Sequence, residues 1–155
     1  MSETTQELYS LLIPLVGRRL LVPRACVAEV VGFSVSEGNN SDFAWYLGGL
    51  RWDGRLVPTV SFEGCCGDEI PAVGRRSRVV IFHATGSAFP ERFFGIVSQG
   101  FPQLVRVNPG VLRKEADEKK NANLPILCQL RMVNEYPLVP DLEKLEEMIL
   151  DAMGS

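Results

Sequence analysis

Residues 47–63 read LGGLRWDGRLVPTVSFE, two apolar runs folded back on each other across Asp53-Gly54. Asp-Gly is a strong two-residue hairpin signal, because both residues tolerate the positive φ that such a turn requires. Beyond it, Leu56, Pro58, Val60 and Phe62 alternate with Arg55, Thr59, Ser61 and Glu63, which predicts a strand with one buried and one polar face. The proline restricts where that strand can lie, since it donates nothing to a ladder. Arg51, Trp52, Asp53 and Arg55 crowd the hairpin tip, just after Trp45 and Tyr46.

Short apolar runs broken by turn residues recur along all 155 residues. LYSLLIPLVG and RLLVP form a first hairpin about Val16-Gly17-Arg18, ending at Pro23. RACVAEVVGF, with Cys26, Val27, Val30 and Val31 on a mixed pattern, fits either a short helix or a strand, ended by Gly32. SVSEGNNSD reads as a polar loop, after which Ser41 or Asp42 is placed to cap a short helix over residues 43–47. A connector rich in Gly, Pro and charge, GCCGDEIPAVGRR, leads to the strands RVVIFHA, RFFGIVSQG and PQLVRV, the first two joined by a loop around residues 86–90. RKEADEKKNANLP is the most polar stretch and reads as a mobile loop. ILCQLRMVNEYPLV is a further hairpin, turning at Asn134-Glu135. Asp141 then caps a final helix with Leu142, Leu145, Met148 and Ile149 on one face and Glu143, Lys144, Glu146 and Glu147 toward water.

One internal echo stands out. LRWDGRLVPTVSFE from Leu50 lies over LRMVNEYPLVPDLE from Leu130, with Leu-Arg, an apolar residue, a turn, a proline-containing strand and a closing glutamate in register. Either the chain carries two related β-modules or two hairpins resemble one another by chance.

Composition removes whole classes of function. With 46% hydrophobic and 23% charged residues the chain is too apolar for general disorder. Its net charge is −3, with Lys and Arg scattered rather than striped, so neither nucleic acid nor an anionic membrane finds an electrostatic footprint. No run is long enough for membrane insertion, and MSETTQELYS lacks the basic and apolar regions of a secretory signal, so a cytoplasmic protein is expected. Cys26, Cys65, Cys66 and Cys128 are then reduced thiols, Cys26 and Cys128 as small core residues. The Cys65-Cys66 pair lacks metal-site spacing, and His83 is the only histidine.

No catalytic constellation emerges. His83 has no base or carboxylate partner in its pattern, and neither a phosphate loop nor a dinucleotide fingerprint occurs, so no enzyme activity, cofactor or metal is expected. A reactive thiol at Cys65 or Cys66, on a small β-barrel that binds a ligand or works through that thiol, is the alternative. The Trp52 and Arg51 cluster instead offers the residue types that anchor protein interfaces.

The order LVPRACVAEVVG, GGLRWDGRLVPTVSFE and YPLVPDLEKLEEM resembles the CheW-like domain of bacterial chemosensory systems over nearly the full length. Gly48, Gly54, Pro58, Val60, Asp141, Leu142 and Leu145 match that family's pattern. The resemblance implies two intertwined five-stranded β-barrels in one domain over 1–155, the first centred on about 20–65 and the second on about 78–140, with a C-terminal helix over 141–153. The fold class is thus all-β dominated, with short helices. It also implies a non-catalytic scaffold coupling a methyl-accepting chemoreceptor to a CheA-type histidine kinase. Its partner-binding residues would be Glu29, Arg51, Trp52, Asp53 and Arg55, with Val27 and Val30 as packing or contact positions. The family's glutamate is kept as Glu29, but its arginine has become Asp53, so Arg51 or Arg55 must take over as Glu29's partner or the surface engages something different. VSFE, GGLRWDG and VSQGFPQLVRV look more like the ChpC branch, attached to the type IV pilus pathway that governs twitching motility.

Overall fold

A computed structural model of the chain describes residues 8–38, 41–86, 89, 92–108, 113–117, 123–132 and 134–154. In chain order these form β1 (Leu8–Pro14), β2 (Arg19–Pro23), a single 3-10 turn (Arg24–Cys26), β3 (Val27–Gly32), β4 (Val35–Glu37), β5 (Tyr46–Trp52), β6 (Arg55–Val60), α1 (Phe62–Cys65), β7 (Arg78–His83), β8 (Phe93–Ser98), β9 (Gln103–Val107), β10 (Arg113–Asp117), β11 (Ile126–Arg131), β12 (Leu138–Pro140) and α2 (Leu142–Gly154). The all-β dominated class stands. Two six-stranded sheets run in the orders β3-β7-β8-β6-β5-β4 and β9-β1-β2-β12-β11-β10.

The two orders have the same plan. In each, an antiparallel hairpin (β7–β8, β1–β2) sits beside the parallel partner of a second hairpin (β6 of β5–β6, β12 of β11–β12). The first module is continuous, from β3 to β8 with α1. The second takes β9–β12 and α2 from the end of the chain and β1–β2 from its beginning, so its order is cyclically displaced. The division expected near residues 65–78 therefore does not part the sheets, because β7 and β8 pair with β3 and β6.

The echo between Leu50 and Leu130 is spatial. Leu50 pairs with Val57, and the Leu130 amide donates to the Pro137 carbonyl, each 80 residues from its counterpart. Ser61 Oγ accepts from the Gly64 amide at 3.1 Å, and Asp141 Oδ1 from the Lys144 amide at 3.0 Å, so both hairpins feed a capped helix.

Strand parity divides the interior into three. Val80 and Phe82 of β7, Phe94 and Ile96 of β8, Ile13 of β1, and Leu20 and Val22 of β2 meet in a shared core with Leu145 and Ile149 of α2. The opposite faces build a small core inside each sheet: Leu50, Val79, Ile81 and Val97 with Trp52 in one, and Leu12, Leu21 and Val107 with Leu130 and Met132 in the other. A sheet with apolar groups on both faces reads as a run rather than an alternation. That is why β6, expected to be half polar, buries Val57, Pro58, Thr59 and Val60. Phe62 and Glu63 belong to α1 rather than to this strand. Pro58 is tolerated because pairing alternates away from the tight turn. Its missing N–H points from β5 toward β8, where the ladder begins only at Thr59.

The expected five-stranded barrels need one revision. β3 and β4, at opposite ends of one sheet, are separated only by Phe33 and Ser34, so counted as one bent strand they leave five. Among the described residues no β3–β4 or β9–β10 ladder closes either sheet. Other local expectations also change. RACVAEVVGF is a 3-10 turn followed by a strand, and SVSEGNNSD contains β4. Residues 43–47 turn directly into β5, with Ser41 Oγ accepting from the Phe43 amide at 3.1 Å. The polar stretch expected to be a mobile loop contributes the edge strand β10, and its residues 118–122 lie outside the described residues.

Two buried glutamates cross between the modules, and the sequence pattern had turned both toward water. Glu63 of α1, 3% exposed, accepts from the Val16 amide in the β1–β2 turn at 3.0 Å. Glu146 of α2, 5% exposed, accepts from the Thr85 amide and hydroxyl at 2.8 and 3.1 Å and from the Gly86 amide at 2.9 Å, all in the β7–β8 loop. Each module's helix thus holds the other module's hairpin loop.

Candidate functional site

Asp53 and Gly54 have φ of 52° and 72°, the paired positive values of the turn expected there. This tight turn sets Trp52 opposite Arg55. Trp52 is half-buried, with its ring on the small core of the first sheet, rather than fully exposed. Its indole Nε1–H donates to Glu29 Oε1 at 2.8 Å. Glu29 is exposed on β3, where a bulge between Val27 and Glu29 displaces the register against β7. The hairpin thus holds this carboxylate through an indole donor.

Phe93, which the sequence reading passed over, organises the rest. Its ring lies 4.9 Å from Trp52 in an edge-on arrangement, and the Arg55 guanidinium sits 5.1 Å over it. His83, its partner across β7 and β8, lies 5.4 Å away. The available signal was the Phe93-Phe94 doublet in a strand: with two cores, one ring serves each face, and here Phe94 takes the shared core.

The structure thus brings together Glu29, Trp52 and Arg55, with Arg51 and Asp53 exposed on the same hairpin. Val27 and Val30 are half-buried and pack on the shared core, which places them as supports for β3. β3 is an edge strand with no lysine or proline along it.

The thiols are poorly suited to chemistry. Cys65 is 6% exposed, and burial, with Cys66 and Glu63 beside it, raises its pKa far above the ordinary thiol range. Burial pushes the Cys66 thiol up to about 11, against the pull of the Arg18 guanidinium. Cys26 is raised in the same direction by burial. Among the described residues no group of His, Cys, Asp and Glu could hold a metal ion. In the same residues no helix is long and apolar enough to cross a membrane.

Two sheets with a shared core, and a tight hairpin hydrogen-bonded to an edge strand, define a two-module β protein. Residues 10–147 match the CheW-like domain, and the chain belongs to that family. Among solved structures it is similar to the scaffolding protein TtCheW from Thermoanaerobacter tengcongensis, at TM-score 0.72 and 11% identity, over 92% of this chain and 89% of that one. No curated protein matches the sequence.

Proposed function

We propose that this chain is a non-catalytic adaptor of a bacterial chemosensory pathway, working in the cytoplasm to couple a methyl-accepting chemoreceptor to a CheA-type histidine kinase. The observation that carries this reading is the Glu29–Trp52 hydrogen bond, backed by Phe93. It joins an exposed carboxylate to an aromatic body, with Arg55 over Phe93 and Arg51 exposed on the same hairpin, beside the edge strand β3. Aromatic and arginine anchors of low residual entropy are what a protein interface needs. Glu29, Arg51, Trp52, Asp53 and Arg55 supply the contact surface, and Val27 and Val30 support it. The motifs GGLRWDG and VSQGFPQLVRV favour a ChpC-type accessory of the type IV pilus system, which makes twitching motility the output.

Calorimetric titration with the regulatory domain of a CheA-type kinase from the same genome, and with the cytoplasmic tip of its receptor, tests this. Saturable binding should weaken at least tenfold in Trp52→Ala. Asp53→Arg, which restores the family's side chain, should strengthen it. Absence of binding to both partners would sink the adaptor reading.

A further inference from the structure

The relation between the modules exposes a difference that points to a second docking site. The loop between β7 and β8 spans nine residues, 84–92, and sends Phe89 into the shared core, 1% exposed, 5.9 Å from the Phe94 ring. Its counterpart between β1 and β2 has only four residues, 15–18, and carries no aromatic side chain. Beside that short loop lies a groove of about 750 Å³, floored by Leu15, Ile126 and Leu138 of the shared core. The hairpins differ in the same sense. In the first module the Leu56 side chain lies so close over Gly49 that an added Cβ would meet its Cγ at 2.7 Å. In the second, the equivalent positions are Gln129 and Tyr136; Gln129 Nε2 donates to the Tyr136 carbonyl at 3.0 Å, and Tyr136, 54% exposed, lines the open groove.

We infer that this groove takes an aromatic side chain from an acidic peptide segment of a partner protein, doing from outside what Phe89 does from within the first module. The charge of the segment follows from the rim. Arg18 and Arg19 stand side by side there, each more than a third exposed, engaged by Asp68 at 3.2 Å and Glu135 at 3.1 Å. Exposed pairs of this kind contribute little and exchange readily, so carboxylates flanking the incoming ring can replace Asp68 and Glu135. The groove's volume falls in the range of small-ligand sites, but it is open and mixed in polarity, which suits one anchor residue on a chain better than an enclosed ligand. The site is independent of the adaptor reading, since it lies on the opposite module from Glu29 and Trp52.

The test is an amide shift titration of the full ¹⁵N-labelled chain with a blocked pentapeptide carrying phenylalanine between two pairs of glutamates. Saturable shifts are expected at Gly17, Gln129 and Glu135. Affinity should fall at least tenfold with alanine in place of the phenylalanine, in Arg19→Glu, and in Gln129→Trp, which fills the groove; Trp52→Ala should leave it unchanged. The ¹⁵N spectrum of each variant shows whether it is folded. No saturable shift at millimolar peptide, equal binding of the alanine peptide, or shifts confined to the first module would overturn the inference. Failure of the kinase and receptor titrations alongside peptide binding here would reject the adaptor function and leave this site standing.

Discussion

At the scale of single residues, the most informative contact joins Trp52 to Glu29, 23 positions apart in the chain. Trp52→Phe keeps most of the ring packing on Phe93 and removes only the donor. Urea denaturation should show a loss of about 1 kcal/mol, because the hydrogen bond is charged but solvent-accessible. Trp52→Ala should cost about 2 kcal/mol, since a half-buried indole leaves the small core as well. The thiols give a second prediction. Cys66, raised by burial to about 11, carries a thiolate fraction of roughly one in a thousand at pH 8, so alkylation of the native protein should be slow and rise about tenfold per pH unit. The stability linked to that thiol is fully present below its unfolded value near 9 and is lost as pH rises toward 11. Rapid alkylation at pH 7 would contradict this. Asp53-Gly54 was legible because a turn is decided by its own φ angles. The indole donor was not, because nothing local tells an indole which carboxylate the fold will bring to it.

Among the elements, the two buried carboxylates do the most to join what the strands keep apart. Glu146→Ala removes the acceptor for three donors on the β7–β8 loop. It should cost about 2 kcal/mol in urea denaturation and speed amide exchange at Thr85 and Gly86, whereas Glu146→Gln, with one acceptor oxygen left, should cost less. Unchanged exchange at both amides would mean that the loop is held by Phe89 alone. The helical pattern of α2 correctly gave Leu145 and Ile149 their buried face. It set Glu146 among the solvated positions because periodicity ranks residues by polarity and cannot see a loop arriving from another module. β10 escaped notice for the converse reason, since RKEAD has an edge strand's charges and no apolar face to advertise it.

For the whole molecule, the shared core sets the expectation. Its side chains come from both sheets and from α2, so neither sheet can lose its fold without exposing the other. Both tryptophans belong to the first module or its approach, whereas far-ultraviolet dichroism includes α2 and both sheets. The two signals should fall together in urea as one transition. Separate midpoints would mean that the modules unfold independently. The repeat was readable as Leu50 over Leu130, but its cyclic displacement was not, since a linear comparison has no means of carrying the end of a chain round to its start. That displacement bears on the order of events at the ribosome. β1 and β2 emerge first, yet β9, which flanks β1, begins 80 residues after β2 ends, and β12, which flanks β2, lies later still. The first module is complete before the second has more than its opening hairpin. Translation must therefore carry an early apolar hairpin with both outer edges unpaired for several seconds, and a nascent chain that has just cleared the ribosome through Ser98 would present those edges to chaperones while its first module is already a sheet.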